Sequence, residues 1–205
     1  MPLEALKSDQ KKIFEKLKNF TEFYLVGGTA LALQVGHRKS VDFDLFSAED
    51  IPSKLLDKVK IIFRDFNIKV VINHSEQLSI RINNAKIDFV KYDFPLVLDF
   101  IHFNGVKLLS APEIAAMKAY ALNRRGVLKD YVDLYFILKD KLSTLEEIKE
   151  IAEKKYKDEF NFRMFLEQLV YLKDIKDDEI IFLKKPVGKR EIEIFFQKKI
   201  GEIKL

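Results

Sequence analysis

Apolar positions along the chain follow two periods. Leu3, Leu6, Ile13, Leu17 and Phe20 fall near helical spacing among Lys and Glu, which predicts an amphipathic first helix closing before Thr21. Residues 23–26 read as a buried strand that runs straight into Gly27-Gly28-Thr29. A helix-forming run, Ala30 to Leu33, follows and stops near Gly36. Over residues 41–46 the period changes to two, with Val41, Phe43 and Leu45 on one side and Asp42, Asp44 and Phe46 on the other. This predicts a strand with a carboxylate pair facing one way. A helix is expected over 52–66, then strands over 68–72, 78–82 and 85–92, the last two joined by a tight turn at Asn83-Asn84.

These strands make a mixed sheet of four or five members, followed by a short strand at 106–109. The pattern then becomes helical. Ser110-Ala111-Pro112-Glu113 has the form of a capping box, with Ser110 as N-cap and Glu113 three residues on. The helix it opens should run to about Arg124 and end near Gly126, with further helices over 129–138, 144–155, 160–172 and 189–200. The fold class is therefore α/β (α+β), a mixed-sheet core flanked by helices over 1–109 and a helical C-terminal lobe over 110–205.

Composition narrows the class further. With 205 residues, 48% hydrophobic and 33% charged, the chain suits one domain or two small lobes, and the composition disfavours disorder. No apolar run approaches the roughly 18 residues of a spanning helix, and residues 1–20 lack the apolar segment of a secretory signal, so a cytoplasmic protein with no membrane partner is expected. Cysteine is absent, which removes disulfides, thiolate metal sites and cysteine nucleophiles together. The net charge of +4 resides in residues 184–205, where seven Lys/Arg face three Glu. That segment is either a solvated helix face or a contact for a polyanion.

Three features carry candidate chemistry. Two adjacent glycines between a strand and a helix let a ligand approach the backbone, and the helix N-terminus beyond offers amides to a phosphate, with Thr29 as a possible hydroxyl donor. The same sequence also suits an ordinary turn. Asp42 and Asp44 stand about 6.8 Å apart on one strand face, where a hard divalent cation would remove their repulsion. A solvated strand face is the alternative, weakened by the apolar neighbours Phe43, Leu45 and Phe46. Asp88 lies in a second apolar strand, so it either pairs with a cation such as neighbouring Lys86 or joins the Asp pair.

The run from Leu25 to Leu33 with its Gly27-Gly28-Thr29 turn, the run from Gly36 through Asp42 and Asp44 to Phe46, then Asp88, Lys118 and residues 125–135 (Arg-Gly-Val-Leu-Lys-Asp-Tyr-Val-Asp-Leu-Tyr), resemble the polymerase-β-like nucleotidyltransferases, most closely the AbiEii/AbiGii toxin family. The resemblance covers about the first two thirds of the chain. It implies that Gly27, Gly28 and Thr29 hold a nucleoside triphosphate (NTP), that Asp42 and Asp44 bind Mg²⁺ or Mn²⁺, and that Asp88 completes the site as ligand or base. Arg38 and Ser40, in the loop before the Asp strand, would serve the triphosphate, with a surface ion pair as the other reading of Arg38. His37 reads as a structural hydrogen-bonder, since Mg²⁺ prefers oxygen.

In the helical lobe, Lys118 rises among Ala115, Ala116 and Ala119 and matches the family's basic motif, while Lys129 and Asp130 match the motif that follows. All three are carried over as nucleotide-binding. A solvated Lys118 and a Lys129–Asp133 helix salt bridge at i, i+4 are the plain alternatives. The implied activity is transfer of NMP from an NTP to an acceptor, with RNA or a tRNA end as acceptor class and a separate antitoxin as partner. Two rivals remain: a module that binds nucleotide or partner without transfer, and a small-molecule nucleotidyltransferase.

Overall fold

The computed structural model describes residues 1–203, so the last two residues of the expected 110–205 lobe lie outside it. The chain divides into two compact units: Met1–Pro95 with Asp99–Leu109, and Leu96–Leu98 with Ser110 onward.

The first unit is a seven-stranded mixed sheet with helices. Its strands are β1 (Tyr24–Val26), β2 (Phe43–Ser47), β3 (Ile68–His74), β4 (Gln77–Ile82), β5 (Ala85–Lys91), β6 (Ile101–Phe103) and β7 (Val106–Leu108), in the order β3-β4-β5-β2-β1-β7-β6. The β2·β5 and β1·β7 pairs are parallel and the rest antiparallel. Its helices are α1 (Ser8–Leu17), α2 (Gly27–Val35) and α3 (Leu55–Ile62). The expected first helix is broken, because a 3₁₀ turn over Leu3–Ala5 ends at extended Leu6 before α1 begins. Strand β6 departs from the sequence expectation. It enters through a hairpin whose turn, Asn104-Gly105, has φ of 50° and 79°, the twist that favours Asn-Gly in two-residue hairpins.

One sheet face is dry. Phe43, Leu45, Ile87 and Phe89 are buried there, and Phe89 packs against Phe20 and Phe23 with ring centroids 5.0 and 5.1 Å apart, while Phe63 stacks on Phe20. Helix α2 stops at Gly36, which takes the left-handed conformation (φ 64°) of a C-terminal cap.

The second unit contains α4 (Ala111–Leu122), α5 (Leu128–Lys139), α6 (Leu145–Tyr156), α7 (Phe162–Leu169) and α8 (Lys189–Gly201). Thr144 and Asn161 cap α6 and α7 by accepting from Glu147 N and Met164 N. The capping box at Ser110 does not form, because the Glu113 carboxylate is used elsewhere. Buried completely, it accepts from Lys155 Nζ at 2.8 Å and from the amides of Val97 and Leu98 at 3.1 and 2.9 Å. Among the described residues no helix is long and apolar enough to cross a membrane.

Candidate active site

Strand β1 passes into α2 with no intervening loop, and the geometry of that junction demands glycine twice. Gly27 has φ +69°, and a Cβ on it would stand 2.7 Å from Asp44 Oδ2. A Cβ on Gly28 would stand 2.6 Å from Arg38 Nη2 and 3.4 Å from Ser40 Oγ. An acidic and a basic side chain thus close on the two glycines from either side. Both glycines remain partly exposed, and no side chain caps the start of α2. The first-turn amides and the positive end of the helix dipole are the groups with which such a terminus receives an anion.

Thr29 is otherwise engaged. Its side chain is buried and its hydroxyl donates to the Asp42 carbonyl, with Ser40 Oγ 2.8 Å away. It ties α2 to the segment entering β2 rather than offering a donor to a phosphate. Arg38 is likewise buried rather than at the surface, donating to the Lys39 carbonyl at 3.1 Å with its guanidinium packed on Gly28. His37 is fully buried, as a structural role requires.

The carboxylates sit on the sheet face opposite the dry one. Strand β2 alternates buried Phe43, Leu45 and Ser47 with half-buried Asp44 and Phe46. Asp44 is the Cα partner of Val26 on one side and of Asp88 on the other, so the two carboxylates are neighbours across the parallel β2·β5 pair. Asp42 precedes the strand, exposed, and its Oδ1 accepts from Lys86 N at 2.9 Å. Lys86 Nζ bonds Asp88 Oδ2 at 2.6 Å, while Asp88 Oδ1 is buried with no hydrogen-bond partner.

Among the described residues no three His, Asp or Glu side chains converge as a ready metal-ligand set. Lys86 engages two of the carboxylates, its amide donating to Asp42 and its ammonium to Asp88. The donors nevertheless fit a hard divalent cation: they are oxygens only, two stand in register on adjacent strands, and one oxygen of Asp88 is buried without a partner.

The remaining motif residues belong to the second unit. Lys118 Nζ is 2.7 Å from Asp130 Oδ1 and 2.8 Å from Asp133 Oδ2, with all three side chains nearly or wholly buried. Lys118 is thus not a solvated lysine. Asp133 pairs with it rather than with Lys129, whose partner is Asp178 at 2.8 Å. Tyr131 lies beside this cluster in α5. Burial first and the neighbouring Asp130 charge second push its hydroxyl up to about 12, and it donates to the Gln168 carbonyl at 3.2 Å. In the basic C-terminal segment, Lys184, Lys189 and Lys199 are engaged by Asp140, Asp177 and Glu202 at 2.6, 2.7 and 2.8 Å.

Comparison with known proteins places this geometry. The family model for the nucleotidyl transferase AbiEii toxin of type IV toxin–antitoxin systems matches residues 13–202. An uncharacterized protein of Aquifex aeolicus (strain VF5) is 30% identical over 205 residues, covering 98% of each chain. A Helicobacter pylori structure assigned as a nucleotidyltransferase superposes with TM-score 0.62 at 20% identity, over 94% of this chain and 93% of that one. MenT4, a nucleotidyltransferase toxin from Mycobacterium tuberculosis H37Rv, superposes with TM-score 0.61 at 16% identity, over 96% and 82%. The solved structures share the fold.

Proposed function

We infer the reaction from one premise: this chain belongs to the AbiEii nucleotidyltransferase toxin family. It is a nucleotidyltransferase, and the finer reading is that it moves NMP from an NTP to an RNA acceptor, a tRNA end being the expected substrate class, with a separate antitoxin controlling it. The observation that supports this most is the register of Asp44 with Asp88 beside the Gly27-Gly28 turn. Anion-binding backbone and cation-binding carboxylates adjoin at one place.

In this reading the amides at the start of α2 receive the phosphates, and Arg38, held on Gly28, offsets their charge. Asp42, Asp44 and Asp88 hold Mg²⁺ or Mn²⁺, which neutralises phosphate charge and acidifies the attacking hydroxyl when bound. Lys86, which holds Asp88 Oδ2 at 2.6 Å, would have to release it for Asp88 to serve as a ligand. The acceptor hydroxyl oxygen bonds the α-phosphorus, the bond from that phosphorus to the bridging oxygen of pyrophosphate breaks, and the hydroxyl proton passes to Asp88. Lys118, Lys129 and Asp130 are assigned to nucleotide binding by their match to the family motifs, with Asp133 fixing the Lys118 ammonium.

The test is incubation with Mg²⁺, each labelled NTP in turn and total cellular RNA, beside an Asp42→Ala/Asp44→Ala control. Label entering RNA only with the intact carboxylates is expected. Metal-dependent NTP binding without labelled RNA would redirect the reading to a small-molecule acceptor, and absence of both would leave a binding module.

A further inference from the structure

The face of the sheet that carries Asp44 and Asp88 continues into a row of aromatic rings. Two residues along β2 from Asp44, about 6.8 Å away on the same side, stands Phe46. Its cross-strand partner on β1 is Tyr24, at 6.5 Å between ring centroids, and Tyr24 meets Phe100 at 5.0 Å. On the other flank Phe46 meets Tyr92 at 4.7 Å, inclined by 35°, and Tyr92 meets Phe94 at 5.3 Å. Five rings, Phe100-Tyr24-Phe46-Tyr92-Phe94, therefore form one continuous line whose middle ring, Phe46, stands beside the carboxylates.

Burial separates this row from an ordinary core. On the opposite face Phe43, Phe89, Phe20 and Phe63 have at most 2% of their surface in contact with water. In the row only Tyr24 is buried, while Phe46, Tyr92, Phe94 and Phe100 each keep part of their surface in water in the whole chain. Leaving four aromatic rings half wet forgoes burial that Phe20, Phe23, Phe43, Phe63 and Phe89 achieve on the dry face. Planar rings presented in a line along a sheet are the surface on which unpaired nucleobases stack, because every base has a π-face. At one end Lys107 Nζ lies 5.8 Å from the Phe100 ring centroid, a cation suited to a phosphate beside a stacked base.

Building on the RNA-acceptor reading above, we propose that this row is the shelf on which unpaired bases at the end of the acceptor RNA stack, leading its terminal hydroxyl to Asp44 and Asp88. Phe46 and Tyr92 are its central positions. The shelf recognises single strands by stacking and requires no particular base, so it selects an unpaired end over a duplex.

Phe46→Leu and Tyr92→Leu keep an apolar side chain and remove the ring, and Tyr92→Phe keeps the ring. Two readouts are compared with the parent: binding of a short single-stranded oligoribonucleotide carrying 2-aminopurine near its 3′ end, whose fluorescence falls on stacking, and KM for RNA in the labelling assay. Each Leu variant should relieve the quenching and raise the oligonucleotide Kd and the RNA KM roughly 5- to 150-fold, the range for loss of one base–aromatic stack. NTP affinity should stay within about twofold, and Tyr92→Phe should behave as the parent. Unchanged binding and KM in both Leu variants, with thermal unfolding showing them folded, would overturn the shelf while leaving RNA transfer standing. Weakened NTP binding in step with RNA would overturn it too, since the rings would then serve the NTP base. Ring-dependent quenching in a protein that never labels RNA would keep the shelf and remove the transfer reading instead.

Discussion

Replacing Lys155 by Met removes the ammonium that faces Glu113 while keeping most of the side-chain length. Both side chains of this pair are essentially without solvent contact, at 1% and 0%, so water cannot take the place of the lost partner. The Glu113 carboxylate would keep the amides of Val97 and Leu98 at 3.1 and 2.9 Å but would carry its charge in a low-dielectric interior. Breaking a buried pair from one side costs about 3–5 kcal/mol. For a chain of this size each kcal/mol moves the midpoint by about 2–4 °C, so a fall of roughly 6–20 °C in Tm is expected by calorimetry. The double variant Glu113→Gln/Lys155→Met carries no buried charge and keeps an acceptor for one of the two amides, which reach different Glu113 oxygens, so it should recover part of the loss. A Lys155→Met protein within about 1 kcal/mol of the parent, or a double variant no better than the single, would refute the assignment of a charged clasp.

Other outcomes follow from the same geometry. Gly28→Ala puts a methyl group 2.6 Å from Arg38 Nη2 and should cost at least tenfold in nucleotidyl transfer, on the order of 1.4 kcal/mol or more, by forcing the guanidinium off the turn. Parent-like turnover would show that Arg38 does not act there. Asp88→Asn should abolish transfer and leave Lys86 without its carboxylate partner, read by loss of labelled product with the fold intact by circular dichroism. Tyr131 keeps its proton to about pH 12 in the folded chain and about 10 unfolded, so it supports the fold fully below pH 10. About 2–3 kcal/mol of stability is lost as pH rises through that window, and Tyr131→Phe should lose less over the same interval in urea titrations. Charge reversal at Lys185, Arg190 and Lys198, which form no ion pair among the described residues, should weaken RNA binding and flatten its salt dependence; unchanged binding at low salt would remove the C-terminal segment from the acceptor path.

What the sequence discloses is what lies within a few residues. The alternation through Phe43, Asp44 and Leu45 places the carboxylate on the wetter face of β2, and the left-handed stop at Gly36 and the Thr144 cap are also local in origin. Signals that depend on distant partners mislead. Ser110 and Glu113 have the right spacing for a capping box, yet Glu113 is claimed by Lys155, 42 residues away, and the Ser110 hydroxyl is left buried without a hydrogen bond. Lys129 and Asp133 have the spacing of a helix salt bridge, but Asp133 shares its buried face with Asp130, towards Lys118. Strand β6 is three residues long, too short to show a period, and only the Asn104-Gly105 turn could have marked it. In the site, the Asp-x-Asp pattern, Asp88 and its neighbour Lys86 are visible from spacing, whereas the bond from the Lys86 amide to Asp42, 44 residues away, is not.

The excursion of Leu96–Leu98 into the second unit has a bearing on how the protein is made. These three residues leave the ribosome before Glu113, which accepts from the amides of Val97 and Leu98, and well before Lys155, which donates to that carboxylate. Strands β6 and β7 follow them and close the first unit's sheet, so that unit has its full set of strands while the segment between Pro95 and Asp99 still lacks its carboxylate. Nascent chains therefore pass through an interval in which a three-residue loop, tethered at both ends, awaits a carboxylate that emerges after it. The same threading means that a single recombination point cannot exchange either unit intact between relatives, so the sheet and the helical bundle are inherited together.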